Sequence, residues 1–359
     1  MTVAAASSQP QTETALDTLW YTRCPVPTAS GLAHSLGWLA RRAAQLDLGF
    51  AILQDAAPPI AAHHYDHRLP GLIREGGNVP ALAARASGSP TRLIGLTWID
   101  ESQRILVAGN SPIGSPAELK GRRIGIPGWA ADQPRSFPRA MALHGFASAL
   151  RIAGLTFADV VVRETAVDAD PQVRTDAADR IRATSFGVAE LLDGTVDAIY
   201  VKGARAAEVA TEHNLRVLVD LDRTESKRLR VNNGTPRPIT VHADLLEQRP
   251  EAVVGFLAES LRAADWSATN LDSVREVLAR ETFSGPHGVA AAYGDRFHTA
   301  LHPSLSDERV ELIGIQKQFL YTHGFLPGDF DIESWVAREP LELARAEVAR
   351  DRAAAREDS

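Results

Sequence analysis

The sequence predicts an α/β protein of two doubly wound lobes with a ligand cleft between them. Short apolar segments that are typical of strands alternate with segments of helical periodicity, and the connections between them are short. The chain has 359 residues, which corresponds to about two domains of roughly 150 residues. Two such lobes joined by crossing strands place a cleft at the carboxyl ends of the strands, where ligands bind in sheets of this kind.

The first lobe is predicted from periodicity and turn residues. Strands are expected at residues 19–22, 49–53 and 92–97, a helix over 32–46 from apolar residues at helical spacing, and another over 79–86. This strand–helix–strand order with short connections favours a parallel sheet.

The second lobe is predicted in the same way. A helix start is expected at Ser115–Pro116, and strands are expected at 123–126, 160–162, 197–200 and 216–221. Helices are expected over 139–153 and 188–192, the latter closed by Gly194. The stretch Asn233-Gly234-Thr235-Pro236 then predicts the return to the first lobe, with a strand at 239–241 and a helix over 250–266.

These elements divide the chain into five segments. Lobe A is expected to contain residues 16–112 and 232–340, and lobe B residues 113–231. Residues 1–15 are polar and rich in small side chains, so we expect disorder there. Residues 341–359 form a charged, Ala-rich tail, expected as a solvated helix or a frayed end.

Composition excludes several classes of function. The formal net charge of -7 gives no reason to expect nucleic acid or an anionic membrane as a partner. The single cysteine forbids an internal disulfide, and no Walker-type phosphate loop is present, so we expect no cofactor. The N-terminal stretch lacks the basic and apolar regions of a secretory signal, which predicts a cytoplasmic location. We also expect a monomer.

The single cysteine, Cys24, is the first candidate for chemistry. It lies in the Pro-rich stretch Tyr21-Thr22-Arg23-Cys24-Pro25-Val26-Pro27 rather than in an apolar run. A neighbouring cation, Arg23, and a helix start expected near Thr28 would both lower the pKa of the thiol. The alternative is a small buried hydrophobe, which free cysteines usually are.

Two further motifs follow in the sequence. The first is the His-rich segment Ala62-His63-His64-Tyr65-Asp66-His67, in which His64 is a candidate for proton exchange with a thiol. A metal site or a plain polar loop are the alternatives, and the metal site is disfavoured because the segment lacks complete zinc-ligand spacing. The second is Arg74 followed by Gly76 and Gly77, in which a planar guanidinium and an accessible backbone N–H suit a small oxyanion.

The chain resembles two related groups of proteins. Residues 111–127, 188–203 and 241–261 resemble the sulfonate and taurine branch of periplasmic substrate-binding proteins of type II, which implies the two-lobed fold. The order Cys24, His64, Arg74, Gly76-Gly77, with these spacings, resembles the 2'-hydroxybiphenyl-2-sulfinate desulfinase family of dibenzothiophene desulfurisation more sharply.

The second resemblance implies an activity. An aromatic sulfinate would be hydrolysed to the arene and sulfite by Cys24, His64 and Arg74, with the Gly77 backbone as an oxyanion donor. Gly76, Arg23 and Phe137 would also contact the substrate. Whether Cys24 acts as proton donor or as nucleophile stays open.

The sequence departs from the family pattern in three places. Thr22-Arg23 replaces Ser-Asn before the cysteine, the stretch between His64 and Arg74 carries an additional His67 and Arg68, and residues 165–181 show no match. These segments would touch the aromatic part of the substrate, so the differences concern the choice of substrate rather than the reaction.

Two rival functions remain. The first is a non-catalytic binding protein that delivers a sulfonate or similar anion to an ABC transporter. The second is a thiamine-pyrimidine synthase, a related fold whose Cys-rich motif one cysteine cannot supply.

Overall fold

The structure is a computed structural model that describes residues 16–22, 26–166, 186–282 and 284–357. The predicted disorder of residues 1–15 and the candidates Arg23 and Cys24 lie outside the described residues. The same is true of the segment 165–181 beyond Ala166.

Two five-stranded sheets form the two lobes. The strands are Thr18–Thr22 (β1), Gly49–Ile52 (β2), Leu72–Glu75 (β3), Thr91–Thr97 (β4), Arg104–Ala108 (β5), Arg123–Pro127 (β6), Val161–Thr165 (β7), Ala198–Val201 (β8), Leu215–Asp220 (β9) and Arg237–His242 (β10). The sheet of lobe A has the order β2-β1-β3-β10-β4, and the sheet of lobe B the order β7-β6-β8-β5-β9. The predicted α/β two-lobed fold is therefore confirmed.

Helices flank both sheets. In the first part of the chain they are Ala29–Ser35 (α1), Trp38–Gln45 (α2), Pro58–Ala61 (α3), His63–Asp66 (α4), Asn78–Ala86 (α5), Phe137–Ile152 (α6) and Val188–Leu192 (α7). They continue with Ala204–Glu212 (α8), Lys227–Arg230 (α9), Ala243–Gln248 (α10), Pro250–Ser267 (α11), Leu271–Thr282 (α12), Pro286–Ala292 (α13), Asp307–Thr322 (α14) and Glu339–Glu357 (α15). No helix among the described residues is long and apolar enough to span a bilayer.

Several local predictions need correction. The helix expected over 32–46 is divided into α1 and α2 at Gly37, whose φ of 72° interrupts helical geometry. The helix start at Ser115 leads only into a 3-10 turn over Pro116–Leu119. Strand β3, which carries Arg74, was not predicted at all.

The sheets are mixed rather than wholly parallel. In lobe A, β10 runs antiparallel to both β3 and β4, and in lobe B, β5 runs antiparallel to both β8 and β9. Each of these strands follows a crossing between the lobes, so its direction is set by the return path of the chain. Because β5 belongs to the sheet of lobe B, the chain changes lobe between 97 and 104, earlier than the predicted boundary at 113.

The C-terminal segment is also more ordered than a solvated tail. Helix α15 buries Leu341, Ala344 and Val348 on one side, and α11 is its main packing partner. The spacing of three and four residues between these positions produces an apolar stripe within an otherwise charged helix. These three side chains of the C-terminal helix therefore belong to the core of lobe A.

The crossings between the lobes contain a buried charged group. Glu101 accepts a hydrogen bond from Arg237 and forms an ion pair with Lys202. All three side chains are nearly inaccessible to solvent. The two cations hold the pKa of Glu101 below its usual value in spite of burial. Breaking such a buried pair is expensive, which favours one relative arrangement of the two crossings.

Candidate active site

The site begins at the carboxyl ends of β1 and β3. These strands are parallel neighbours, and their register places Thr22 opposite Arg74. Both residues are buried. Strand β1 and strand β3, which is followed by Gly76–Gly77, therefore end at the same edge of the sheet, which is where ligands bind in open α/β sheets.

Arg74 is held by its own chain. Its side chain has only 2% of its surface exposed, and Nη1 donates a hydrogen bond of 3.0 Å to the Gly77 carbonyl. A Cβ at Gly76 would lie 2.6 Å from Cζ of Arg74, so glycine is required for the guanidinium to occupy this position. The predicted association of Arg74 with Gly76 and Gly77 is present in the structure.

The backbone after β3 offers one donor. The Gly76 N–H donates to the Pro238 carbonyl (3.3 Å) and the Asn78 N–H to the Asn233 carbonyl (2.6 Å). Within the described part of the chain, the intervening Gly77 N–H has no such backbone partner. A donor of this kind beside a guanidinium is suited to an anionic oxygen.

The segment Asn232–Pro236 returns from lobe B and packs directly on this turn. The Asn233 side chain accepts a hydrogen bond from the Val79 N–H (2.8 Å), replacing the cap that Gly77 lacks at the start of α5. Asn78 donates to the carbonyls of Asn232 (2.6 Å) and Pro236 (2.9 Å). The turn at Gly76–Gly77, called the oxyanion turn below, and the crossing between the lobes thus form one hydrogen-bonded unit.

Glu75 supports β3 from the opposite face. Its carboxylate accepts hydrogen bonds from the hydroxyls of Ser30 and Thr97, and Ser30 is also hydrogen-bonded to Tyr21. Burial raises the pKa of Glu75, and these hydrogen bonds only partly offset that increase. The network connects β1, α1, β3 and β4 behind Arg74, and sequence reasoning did not identify it.

His64 lies on α4, beside this turn. The residue is half-buried, and its Nδ1 is buried without a hydrogen-bond partner among the described residues. Burial, followed by the charges of Arg74 and Arg135, lowers the pKa of His64 well below its ordinary value. His64 is therefore a neutral imidazole at neutral pH, and the structure brings it into the electrostatic neighbourhood of Arg74.

The other two histidines of the motif differ from each other. His63 is paired with Asp66 at 2.8 Å on the surface of α4. His67 is 1% exposed, and neither ring nitrogen has a partner with hydrogen-bond geometry in the part of the chain that the structure describes. Burial, Arg74 and His64 lower the pKa of His67, which the backbone carbonyl of His64 offsets only in part.

The alternative metal site is not supported by the arrangement of these side chains. Among residues 16–22, 26–166, 186–282 and 284–357, no group of three or more His, Cys, Asp or Glu side chains is placed to hold a metal ion.

Lobe B contributes two further residues, one of which, Arg135, sequence reasoning missed. The segment between β6 and α6 places the guanidinium of Arg135 4.7 Å from the centre of the Tyr65 ring, across the cleft. Trp129, from the same segment, contacts Phe325 of lobe A with ring centres 4.6 Å apart. The only sequence signal for Arg135 is its position after a parallel strand of lobe B.

Phe137 lies at the start of α6, partly buried, and packs against the core of lobe A. This places it at the boundary between the lobes, without showing a contact to substrate. A surface hollow lined by Leu261, Asp265, His302 and Arg352 lies elsewhere, between α11 and α15, and includes none of the predicted residues.

The site therefore combines a neutral imidazole, two guanidinium groups and a backbone donor at one edge of the lobe A sheet. Such an arrangement binds a compact oxyanion and places a proton-exchanging group beside it.

Known proteins are similar to this chain over most of its length. No family model matches the chain. The chain is 27% identical to 2'-hydroxybiphenyl-2-sulfinate desulfinase from Rhodococcus erythropolis over 352 residues, which cover 90% of this chain and 93% of the relative. The enzyme of the same name from Rhodococcus qingshengii gives the same values.

Solved structures show the same fold. The desulfurization enzyme DszB superimposes with a TM-score of 0.75 at 25% identity, over 92% of this chain and 99% of that one. A cysteine-to-serine variant of DszB in complex with biphenyl-2-sulfinic acid has a TM-score of 0.72 at 24% identity, with the same coverage. The periplasmic aliphatic sulphonate binding protein SsuA from Escherichia coli has a TM-score of 0.64 at 18% identity, over 90% and 92% of the chains. The predicted relation to the fold of periplasmic binding proteins is confirmed.

Proposed function

We propose that this protein is an aromatic sulfinate desulfinase that hydrolyses a carbon–sulfur bond. One aryl sulfinate and one water give one arene and one bisulfite, so atoms and charge balance. The observation that carries the proposal is the register of β1 and β3, which sets Thr22 against Arg74 at the ligand-binding edge of the sheet. Cys24 follows Thr22 by two residues in the sequence.

The anion would be held at the carboxyl end of β3. Arg74 offers a planar fork of donors, and the neighbouring Gly77 N–H has no backbone partner in the described part of the chain. Both donors hold the sulfinate oxygens while the electron pair of the C–S bond passes to the ring carbon, which takes a proton. Neutral sulfur dioxide then departs, and water converts it to bisulfite. Fixed donors of this kind orient the anion without reorganisation during the reaction.

Two routes are available for Cys24. In the first, its thiol protonates the ring carbon as the C–S bond breaks, and His64 then returns a proton from water to the sulfur of Cys24. In the second, the Cys24 thiolate attacks the sulfinate sulfur and the C–S bond breaks. The departing aryl group takes a proton from water, and the remaining hydroxide resolves the thiosulfonate-type intermediate to bisulfite and the free thiolate.

The neutral state of His64 favours the first route. A thiolate–imidazolium pair would require His64 to hold a proton close to Arg74 and Arg135, and those charges lower its pKa. A neutral thiol beside a neutral imidazole avoids this cost. The two groups can still exchange a proton during turnover.

The relatives provide the substrate class. The Rhodococcus relatives are named for 2'-hydroxybiphenyl-2-sulfinate, and a variant of DszB binds biphenyl-2-sulfinic acid. We infer that an aryl group of similar size enters the cleft with its sulfinate toward Arg74. The differences between His64 and Arg74 noted above are the positions at which selectivity would change.

The experiment compares the unmodified protein with Cys24→Ser. Both are incubated with a panel of aryl and alkyl sulfinates, and released sulfite is measured. The unmodified protein should release sulfite from aryl sulfinates, and the variant should not, because a hydroxyl is a far weaker acid and nucleophile than a thiol. Wild-type turnover by a folded Cys24→Ser protein would remove Cys24 from the mechanism.

The second candidate is a non-catalytic sulfonate-binding protein, which the shared fold of SsuA favours. Such a protein would bind the anion and return it unchanged. The same panel distinguishes the two functions, because only an enzyme releases sulfite.

A further inference from the structure

Arg135 is the one charged side chain of lobe B that the described structure shows influencing His64. Its guanidinium lies 4.7 Å from the ring centre of Tyr65, the residue adjacent to His64 on α4. This distance is within the range of a cation–π contact. Arg135 therefore reaches from one lobe to the helix of the other lobe that carries the proposed catalytic imidazole.

The position of Arg135 is fixed by its own segment. The Arg135 N–H donates to the Asp132 carbonyl (2.9 Å), and the Asp132 carboxylate lies 3.3 Å from Arg135 Nε. The Ser136 hydroxyl accepts from the Ala130 N–H (3.1 Å), which closes the turn before α6. The guanidinium is thus presented by a closed turn rather than by an extended loop.

This turn is also attached to lobe A at two other points. Gln133 donates a side-chain hydrogen bond to the Gly324 carbonyl, and Trp129 contacts Phe325. The contacts lie on the same segment of lobe B as Arg135. When the lobes are together, Arg135 is consequently held in the cleft beside His64.

The charges around His64 indicate what kind of ligand Arg135 can bind from its position in the cleft. Arg74 and Arg135 both lower the pKa of His64, so two cations act on one small region. Asp132 faces Arg135 but is largely exposed, while Asp66 is paired with His63 on the surface. Arg74 and Arg135 thus bring two guanidinium groups to one region beside a neutral imidazole, which suits an anionic ligand.

We propose that Arg135 is a substrate-binding residue, the second cation of the anion site, which lobe B supplies across the cleft to the sulfinate held by Arg74. This inference rests on the proposed function and deepens it, because it makes the site complete only when both lobes are together. It also makes the anionic group of the substrate a contact shared by the two lobes.

The test is a comparison of Arg135→Gln, Arg135→Lys and the control Arg122→Gln. Arg122 is an exposed cation of the same lobe, so the control removes the same charge away from the cleft. For biphenyl-2-sulfinate, Arg135→Gln should raise KM about 10- to 100-fold, as expected for a lost charge-assisted hydrogen bond, with kcat changed far less. Arg135→Lys should fall between, and Arg122→Gln should match the unmodified protein.

A second readout is the pH profile of kcat/KM. Removing Arg135 removes one charge that opposes protonation of His64, so the acid limb should move to higher pH in Arg135→Gln. The other groups that act on this limb, Arg74 and His67, are unchanged in the variant. Arg122→Gln should leave the limb in place.

A binding measurement keeps the inference separate from the proposed chemistry. The dissociation constant of biphenyl-2-sulfinate is measured by calorimetry in a Cys24→Ser background, with and without Arg135→Gln. Weaker binding by at least 10-fold in the double variant supports the inference even if the unmodified protein releases no sulfite, an outcome that would refute only the proposed function. Unchanged affinity, or a loss confined to kcat, would overturn the role of Arg135.

Discussion

Replacing Gly76 with alanine should displace the Arg74 guanidinium while leaving the protein folded. The added Cβ would lie 2.6 Å from Cζ and 2.7 Å from each terminal nitrogen of Arg74. Nonbonded carbon atoms prefer about 3.5–4.0 Å, so the guanidinium must move by roughly 1 Å. The backbone at Gly76 does not have a positive φ, so alanine itself fits the local conformation.

The expected effects on stability and on activity are different in size. Displacement weakens the hydrogen bond from Arg74 to the Gly77 carbonyl, which costs on the order of 1–2 kcal/mol. Replacing glycine by alanine recovers about 0.4–1 kcal/mol through the unfolded chain, so the net loss is small. A misplacement of about 1 Å at a positioning group can instead cost around 100-fold in rate.

The assay is sulfite release from biphenyl-2-sulfinate, with urea unfolding measured on the same samples. Gly76→Ala should lose about 10- to 100-fold in kcat/KM with nearly unchanged unfolding free energy. The matched control is Gly314→Ala in α14, where the added Cβ meets nothing within 4 Å and activity should be unchanged.

A double-variant comparison identifies the cause. If Gly76→Ala acts through the guanidinium, it should cost little more once Arg74 is already alanine, since the two effects are coupled. Wild-type kcat/KM in a folded Gly76→Ala protein would refute the placement of Arg74 at the anion.

Two other pairs of measurements follow from the structure. Arg74→Lys keeps the charge but loses the bidentate fork, so it should raise KM about 10- to 150-fold. His64→Gln should instead lower kcat by about 10²- to 10⁴-fold. If both variants changed KM alone, and to the same extent, the assigned roles would be contradicted. Burial lowers the pKa of His144 to about 4, so protonation favours the unfolded chain as pH falls from about 6.5 to about 4. Between pH 7 and pH 5, the unfolding free energy of the unmodified protein should fall by roughly 2 kcal/mol more than that of His144→Gln, as measured by urea unfolding. The same pH dependence in both proteins would show that protonation of His144 does not cause this loss.

The fold could be predicted where the chain carries a strong local pattern. The helix over 250–266 and the strand over 92–97 are long and periodic, and both are present as α11 and β4. Strand β3 is different, because its four residues end in Arg74 and Glu75, and both charged side chains are buried. No propensity favours a buried Arg-Glu pair, so tertiary contacts determine this strand.

The direction of the crossing strands could not be obtained from periodicity either. Alternating strands and helices predict parallel neighbours, but β5 and β10 follow crossings between lobes and pair antiparallel with both neighbours. The apolar stripe of Leu341, Ala344 and Val348 was present in the sequence, yet the surrounding charge favoured a solvated tail.

The candidate site also contains some residues that could be predicted from the sequence and others that only the structure reveals. His64, Arg74 and Gly76–Gly77 were accessible because they form short motifs with a chemical meaning. Arg135 carries no local motif, and only the packing of lobe B against α4 brings it to His64. Asn233 was predicted only as part of a crossing, whereas its side chain also caps α5 beside the oxyanion turn.

The central claim is that the protein cleaves a carbon–sulfur bond, and one mass balance tests it most directly. The purified protein is incubated with biphenyl-2-sulfinate in D2O, and sulfite, biphenyl and remaining sulfinate are quantified over several hours. The account predicts equal amounts of sulfite and biphenyl, with one deuterium on the carbon that carried sulfur. Tight binding with complete recovery of unchanged sulfinate would contradict the account and establish a binding protein in its place.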